Sequence, residues 1–233
     1  MKKKIEIMDT TLRDGEQTSG MSFSKHEKLT ISKLLIQELK VDRIEVASAR
    51  VSEGEFQAVK SIIEWARSNN FEKKVEILTF IDNGISIDWI KRAGAKVQNL
   101  LSKGSLNHLK YQLKKTPKQH FEDIQKILLK AKEIDVDTNV YLEDWSNGMK
   151  NSKNYVFDFI DFLSNQSVKR ILLPDTLGVL NPSESYDFIN EVVIKYHLCT
   201  VNSMRELAKP FIDNQPHIVF HAAAYKHVPI QEL

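Results

Sequence analysis

The sequence has little cysteine, glycine or proline, and each shortage excludes a class of protein. Its 233 residues include one cysteine, Cys199, which excludes an intramolecular disulfide, a Cys-x-x-Cys redox pair and a cysteine zinc site. The 8 glycines and 6 prolines fall well below average usage, so the chain is neither fibrous nor disordered. No uncharged apolar run approaches the ~18 residues that cross a bilayer. The sequence therefore predicts a cytoplasmic protein without a membrane partner.

The charge balance gives no sign of a nucleic-acid partner. Lys and Arg number 33 against 31 Asp and Glu, and the longest basic block is residues 2–4. Hydrophobic residues make up 42% and charged residues 27%, which is ordinary globular usage. At ~150 residues per domain, the length fits one large domain or one and a half.

Short aliphatic runs alternate with longer stretches of helical period, which predicts an α/β protein with a parallel sheet. The predicted strands are residues 5–8, 43–47, 75–80, 96–101, 138–142 and 170–173. Ser24-x-x-Glu27 and Ser52-x-x-Glu55 predict capping boxes, and Pro117 and Pro182 predict first-turn prolines. Three apolar stripes would cover the sheet: Phe56, Val59, Ile63 and Ala66; Phe121, Ile124, Leu128 and Ala131; and Tyr186, Ile189, Val193 and Tyr196.

This alternation fits both an open doubly wound sheet and a closed barrel. No G-x-G-x-x-G or G-x-x-x-x-G-K motif follows the first strand, and its absence favours the barrel. Polar residues also gather just after strands one, five and six: Asp9, Arg13, Asp14, Glu143, Asp144, Asp175 and Thr176. In a barrel these strand ends share one face, where active sites are built. We therefore expect a TIM (β/α)8-type barrel with its site at that face.

Residues 9–17, DTTLRDGEQ, are the most informative stretch. Asp14-Gly15 alone would indicate a solvated turn. The whole segment resembles the first-strand signature of the metal-dependent Claisen-condensing barrel enzymes, namely α-isopropylmalate, homocitrate and citramalate synthases. Residues 141–144 (YLED) and 173–178 (LPDTLG) resemble their fifth- and sixth-strand segments, in the same order. Hydroxymethylglutaryl-CoA lyases and some pyruvate aldolases share the fold and the Arg-Asp pair but usually differ around it, so the match favours the synthase branch.

Two further strands resemble the family more loosely. Residues 43–48 (RIEVAS) have Ala47 where the family more often has glycine. Residues 96–102 (KVQNLLS) lack the histidine that many synthases carry on the fourth strand. The resemblance therefore leaves the identity of the 2-oxo acid open.

The resemblance implies roles for five residues. Asp14 would be a carboxylate ligand of a divalent metal, Mg²⁺ or Mn²⁺ by their preference for oxygen ligands, with Zn²⁺ as the alternative. Arg13 would bind substrate and stabilise oxyanion or enolate charge as the methyl carbon of acetyl-CoA attacks the ketone of the 2-oxo acid. Glu143 would act in orientation or proton transfer, and Gln17 and Thr176 would contact the substrate.

The resemblance stops near residue 199. The family completes its metal site with a His-x-His pair on a seventh strand, and nothing here matches that pair. Residues 216–229, PHIVFHAAAYKHVP, instead resemble an internal segment of nucleotide-sugar 4,6-dehydratases and epimerases of polysaccharide biosynthesis. We expect residues 1–199 to form a truncated barrel of about six strand-helix units and residues 200–233 a foreign helix-strand tail.

One residue of this tail bears on the metal. His221 would approach Asp14 only if the tail took the seventh strand's place, and the second ligand position would then be Ala223. The favoured interpretation is that His221 is a relic of another fold without a metal role.

The sequence thus predicts an acyltransferase-type Claisen synthase for a 2-oxo acid and an acyl-CoA, most like the α-isopropylmalate synthases of leucine and other amino-acid biosynthesis. Its metal site is incomplete, so whether this chain is active stays open. The alternatives are a carbon-carbon lyase or aldolase of the same fold, and a non-catalytic fragment or fusion. Unpaired strand edges carrying Ile5, Ile7, Ile171 and Leu173 predict self-association.

Overall fold

The structure is a computed structural model that describes residues 5–48 and 50–198. Its strands are β1 (Met8–Asp9), β2 (Arg43–Val46), β3 (Val75–Phe80), β4 (Val97–Lys103), β5 (Asp137–Glu143) and β6 (Arg170–Leu172). Its helices are α1 (Lys25–Lys33), α2 (Glu53–Ser68), α3 (Ile85–Ala93), α4 (Leu106–His108), α5 (Pro117–Glu133), α6 (Trp145–Asn151), α7 (Lys153–Ser164) and α8 (Pro182–Leu198). None of these helices is long and apolar enough to cross a membrane. The proposed tail, residues 200–233 with His221, lies outside the described residues.

The strand order settles the choice between the two sheet types. Each strand pairs in parallel with the next in the chain, so the order is β1-β2-β3-β4-β5-β6. In a doubly wound sheet the strand order reverses at a switch point, and the order of these six strands has no such reversal. The predicted barrel architecture is confirmed for the described residues, which form six of its strands.

An ion pair between the two edge strands shows how strongly the sheet curls. Six strands laid flat would put β1 and β6 roughly 24 Å apart, at about 4.8 Å per strand pair. Glu6 precedes β1 and Arg170 opens β6, yet Arg170 Nη2 lies 3.1 Å from Glu6 Oε2. The sheet therefore forms a curved barrel wall, with these two side chains meeting across its interior.

Side chains alternate between the two faces of this wall. The outer face packs under the helices and includes Ile44, Ile77, Leu100 and Val140 in the main hydrophobic core. The inner face carries a smaller apolar layer of Leu78, Tyr141 and Leu172, with Met8, Phe80 and Leu101 against it. By the same alternation, Glu45, Asn99, Lys103, Asn139 and Glu143 also point inward.

The first strand is shorter than predicted, with Met8–Asp9 in the ladder instead of residues 5–8. The amide of Ile7 donates to the Asp42 carboxylate at 2.9 Å, so this amide makes no hydrogen bond to a neighbouring strand. The other predicted strands match within about two residues, and β3 matches at both ends. Ile5 and Ile7 are exposed, whereas Leu173 is buried under the helices.

The helix starts agree with the sequence at all four positions, and one of the two predicted capping boxes is complete. Ser24 forms a reciprocal capping box with Glu27, and Pro117 and Pro182 open α5 and α8. Ser52 accepts from the Glu55 amide, but the predicted box is incomplete. The Glu55 carboxylate instead accepts from buried Lys28 at 2.5 Å, because a buried ammonium competes better for it than the amide at the helix start.

The apolar stripe predicted for α8 is wrong at Tyr186, which is exposed. Phe188 and Ile189 pack against the core, and Val192 is buried. These positions fit the i, i+4 spacing of a face that contacts α7. The stripes predicted for α2 and α5 are confirmed, since Val59, Ile124 and their partners lie in the core.

Candidate active site

A tight turn after β1 fixes the position of the residues at the centre of the site. The amides of Arg13, Asp14 and Gly15 all donate to the carbonyl of Thr10, at 3.0, 2.8 and 3.2 Å. A 3₁₀ turn, Gly15–Gln17, follows at once. The first strand thus delivers Arg13 and Asp14 together at the carboxyl end of the barrel wall.

Arg13 bridges two carboxylates. Its Nε donates to Glu45 Oε2 at 2.6 Å, and its Nη1 donates to Asp14 Oδ1 at 2.8 Å. The side chains of Arg13 and Asp14 are 14% and 19% exposed, whereas that of Glu45 is fully buried. The guanidinium is therefore anchored on its inner side by Glu45 and remains accessible beside Asp14.

Glu45 is held in turn by two strands on the inner face. Asn99 Nδ2 donates to Glu45 Oε1 at 2.8 Å, and the Tyr141 hydroxyl donates to Oε2 at 3.3 Å. Asn139 Nδ2 extends the network by donating to Asn99 Oδ1 at 2.8 Å. The network joins β2, β4, β5 and the loop after β1 through one carboxylate.

The pKa values in this network keep its cation and its phenol protonated. Burial lowers the pKa of Arg13, but the negative charge of Glu45 and the smaller effect of Asp14 outweigh it and raise the pKa. Burial, followed by the charge of Glu45, raises the pKa of Tyr141 well above its ordinary value. Arg13 is thus a permanent positive charge, and Tyr141 is the donor in its bond to Glu45.

A second charged pair lies two residues beyond Tyr141 on the inner face. Lys103 ends β4 and Glu143 ends β5, and the two residues are register partners whose side chains form an ion pair. Their side chains are 14% and 24% exposed. Because the Arg13 guanidinium lies 5.8 Å from the Tyr141 ring, both charged pairs occupy the same end of the barrel interior.

The backbone of Lys103 is fixed from behind by two helices. Its amide donates to His120 Nε2 at 3.3 Å, and the Tyr155 hydroxyl donates to its carbonyl at 2.7 Å. Burial, and then the charge of Lys115, lowers the pKa of His120 to about 4. His120 is therefore neutral near pH 7, as an acceptor must be.

The residue after Glu143 anchors the end of β5 to its neighbours. Asp144 has a left-handed backbone, with φ of 65°, a conformation that aspartate tolerates better than most residues. Its carboxylate accepts from the Ser105 hydroxyl at 2.5 Å and from Asn147 at 2.7 Å. Its amide donates to the Thr176 hydroxyl at 3.0 Å. These bonds hold the loops after β4, β5 and β6 together.

Residues 4–202 match the family model described as HMGL-like. The chain belongs to the HMGL-like family. Residues 176–233 also match the model described as polysaccharide biosynthesis protein, which agrees with the resemblance seen in the tail.

Curated relatives in this HMGL-like family include two archaeal enzymes. The chain is 32% identical over 208 residues to a 2-isopropylmalate synthase of Pyrococcus furiosus, covering 88% of this chain and 40% of that protein. It is 33% identical over 201 residues to one of Sulfurisphaera tokodaii, covering 82% and 47%. The chain thus spans less than half the length of these relatives.

Solved structures confirm the fold of this HMGL-like chain. The hydroxymethylglutaryl-CoA lyase of Bacillus subtilis aligns with a TM-score of 0.67 at 17% identity, over 82% of this chain and 65% of that one. A lyase of Acinetobacter baumannii in complex with coenzyme A and 3-methylmalate aligns with a TM-score of 0.56 at 19% identity, over 81% and 62%. At these identities the likeness establishes the barrel fold alone.

The structure brings together some of the residues that the sequence singled out. Arg13 and Asp14 are in contact, and Glu143 lies at the same end of the inner face. Thr176 is placed beside Asp144, where its hydroxyl accepts the Asp144 amide. Gln17 is exposed at the end of the 3₁₀ turn that follows Asp14.

Sequence reasoning missed the side chains that organise the site. Glu45 and Asn99 stand in the two loosely matching segments, and Lys103 follows the second of them. The available signal was the strand period of two, since a charged or amide residue at every second position marks a polar inner face. Glu45 sits between the aliphatic Ile44 and Val46, which is that pattern.

The described residues do not complete a metal site. Within residues 5–48 and 50–198, no group of three or more His, Cys, Asp or Glu side chains could hold an ion. Asp14 supplies one carboxylate, and Arg13 occupies its Oδ1. A set of three such ligands that includes Asp14 would therefore need at least one residue from outside these ranges.

We predict that Glu45→Gln destabilises the fold, because it removes a buried charge that two strands and Arg13 depend on. Losing one partner of a buried ion pair costs about 3 kcal/mol or more in the free energy of unfolding. Urea titration of the parent and the variant measures this loss in the free energy of unfolding. Glu122→Gln, on the exposed face of α5, is the control and should change stability by less than about 0.5 kcal/mol. Equal effects of the two changes would show that the Glu45 charge is dispensable.

We predict that His120 makes stability fall in acid. Its pKa is about 4 in the folded chain against 6.5 ordinarily, so between these values only the unfolded chain gains the proton. The free energy of unfolding should therefore drop as pH falls from 6.5 to 4, by about 3 kcal/mol in total. His120→Gln keeps an acceptor for the Lys103 amide and should flatten this slope, whereas exposed His26→Gln should not. An unchanged slope in His120→Gln contradicts the assignment.

Proposed function

We propose that this barrel end catalyses carbon-carbon bond formation between an acyl-CoA and a 2-oxo acid, as in the 2-isopropylmalate synthases it resembles. The observation that carries the proposal is the accessible Arg13 guanidinium, anchored by Glu45 and set beside Asp14. The 32–33% identity to proteins of that name supports the condensing direction. The name of those relatives, 2-isopropylmalate synthase, supports a role in leucine biosynthesis.

Arg13 performs the electrostatic part of the reaction. The attack of an acyl-CoA methyl carbon on a ketone moves negative charge onto oxygen, first in the enolate and then in the alkoxide. Arg13 stays protonated throughout, because its pKa is raised above an already high ordinary value. Since Glu45 fixes the guanidinium before the ligand arrives, little reorganisation is needed as the charge develops.

Glu143 is the proposed proton-transfer or orienting group. It ends β5 on the inner face with its carboxylate 24% exposed, so a ligand can reach it. The left-handed Asp144 and its bonds to neighbouring loops hold this strand end in place. Thr176 and Gln17 remain proposed substrate contacts, Thr176 through its hydroxyl beside β5 and Gln17 from the exposed end of the 3₁₀ turn.

We predict that the parent chain releases free thiol from acetyl-CoA only when a 2-oxo acid is added, and that Arg13→Lys lowers this rate about 10²-fold. Lysine keeps the charge but loses the planar fork that spans Glu45 and Asp14. Arg67→Lys, at an exposed position of α2, is the matched control. Cleavage of a hydroxyacyl-CoA without condensation would instead identify a lyase of the same fold. Absence of both reactions would favour a non-catalytic fragment or fusion.

A divalent metal, Mg²⁺, Mn²⁺ or Zn²⁺, is the proposed cofactor, with Asp14 as one ligand. Such an ion would polarise the ketone when bound.

We predict that Asp14→Asn weakens Mn²⁺ binding at least 10-fold in calorimetric titration, because the amide loses the charge of the ligand. Asp88→Asn, exposed on α3, is the control. Equal Mn²⁺ affinity of the parent and Asp14→Asn would remove Asp14 from the ligand set.

A further inference from the structure

Lys28 is a buried cation to which the mechanism above assigns no role. It lies near the start of α1, and among the described residues it is the one buried lysine, with 3% of its side chain exposed. Lysine is almost never fully buried unless its charge is paired. The carboxylates that hold the Lys28 ammonium therefore indicate what the residue does.

Two carboxylates from different segments pair with the Lys28 ammonium. Its Nζ donates to Glu16 Oε2 at 2.6 Å and to Glu55 Oε1 at 2.5 Å. Glu16 lies in the 3₁₀ turn that follows Asp14, and Glu55 lies in the first turn of α2. Their side chains are 17% and 21% exposed. The buried ammonium thus joins the turn of the candidate site to α1 and α2, which pack against each other.

The Glu16 carboxylate is held at both of its oxygens. Oε2 accepts from Lys28, and Oε1 accepts from the Phe23 amide at 2.9 Å, just before α1 begins. A hydrogen bond between an ammonium and a carboxylate is roughly twice as strong as one between neutral groups. The 3₁₀ turn is therefore fastened to α1 through the Glu16 side chain.

Backbone hydrogen bonds connect Glu16 to the reactive residues of the turn. The Gln17 amide donates to the Asp14 carbonyl at 3.1 Å, so Asp14 and Glu16 belong to one turn. On the strand side, the amides of Arg13 and Asp14 donate to the Thr10 carbonyl. The turn thus has one attachment to the end of β1 through its backbone and one to α1 through charge.

Two buried charges of opposite sign bind this turn at different residues. Glu45 binds the Arg13 guanidinium from the inner face of the barrel, and Lys28 binds the Glu16 carboxylate from α1. Removing Lys28 would leave its two carboxylate partners close together with no cation between them, and like charges repel. The turn therefore depends on the charge of Lys28 as well as on that of Glu45.

We propose that Lys28 is a positioning residue, which holds the turn carrying Arg13 and Asp14 through Glu16 and without touching the ligand. That this turn serves a reaction rests on the condensation proposed above, whereas the contacts of Lys28 do not. A purely structural role, joining α1 to α2, would act through Glu55 instead. The two carboxylates therefore separate the two roles.

Amide hydrogen exchange of the whole chain, followed by NMR, tests the proposal without any activity. Glu16→Gln and Glu55→Gln are a matched pair, because each removes one carboxylate and leaves Lys28 with one opposite charge. We expect Glu16→Gln to speed exchange about 10-fold at the three amides that donate to the Thr10 carbonyl, since a loosened turn opens these bonds. Glu55→Gln should change this exchange less than about 3-fold.

Variants of Lys28 test the cation itself. Lys28→Met should speed exchange at the same amides about 10-fold or more, and Lys28→Arg, which keeps the charge, should restore slow exchange. Lys25→Met, at an exposed position of α1, is the control and should leave exchange unchanged. If Lys28→Met does not fold, the matched pair of carboxylate variants still decides between the two roles.

Thiol release from acetyl-CoA in the presence of a 2-oxo acid supplies a second measurement. We expect Glu16→Gln to lower kcat about 10-fold and to change KM for acetyl-CoA less than about 3-fold, because a displaced Arg13 loses stabilisation that it gives in the transition state. Glu55→Gln should retain the kcat of the parent chain.

The other outcomes overturn defined parts of the scheme. Exchange that stays slow in Glu16→Gln overturns the proposal, and equal acceleration in Glu16→Gln and Glu55→Gln would assign Lys28 to joining the helices instead. Faster exchange with an unchanged kcat would show that the reaction does not need a fixed turn, which also overturns the positioning role. Absence of thiol release in the parent chain rejects the proposed function alone, because the exchange rates still report whether Lys28 holds the turn.

Discussion

The site depends on one buried negative charge, the carboxylate of Glu45. Moving an ion out of water costs several kcal/mol unless opposite charge and hydrogen bonds replace the lost solvation. Glu45 receives both, from Arg13 on one side and from Asn99 and Tyr141 on the other. Because each donor comes from a different segment, satisfying this carboxylate fixes the loop after β1 relative to β4 and β5. The position of Asp14 follows, since Arg13 holds it.

The polar inner face distinguishes this wall from the usual interior of a (β/α) barrel, where branched aliphatic side chains fill the layers. Here a small apolar cluster around Leu78 and Leu172 shares the inner face with charged side chains. The charged layer at the amino end, with Glu6 and Arg170 in contact, ties the edge strands of the described sheet together. At the carboxyl end Glu45 is fully buried, whereas the side chains around it are partly exposed: Arg13, Asp14, Lys103 and Glu143.

The sequence predicted the features that are local along the chain. The strands and Arg13 with Asp14 came from short contiguous patterns, and β3 was placed at both ends. Features that need a partner from elsewhere were missed. Glu55 bonds to Lys28 instead of completing its helix cap, and Lys103 pairs with Glu143 forty residues later. Neither contact can be predicted from the neighbouring residues. Tertiary contacts override local preference wherever a buried charge competes for the same group.

The end of β4 also shows why the site reaches into the outer core. The acceptor for the Lys103 amide is His120, whose ring contacts Phe159 edge-on at a centroid distance of 5.5 Å. Phe121 stacks on Phe159 at 5.0 Å, so α5 and α7 are locked together behind the strand. The same two helices carry His120 and Tyr155, which bind both backbone groups of Lys103. A change in this aromatic cluster would therefore shift a charged side chain on the opposite face of the sheet. Residues of the outer core can in this way set the position of Lys103 on the inner face.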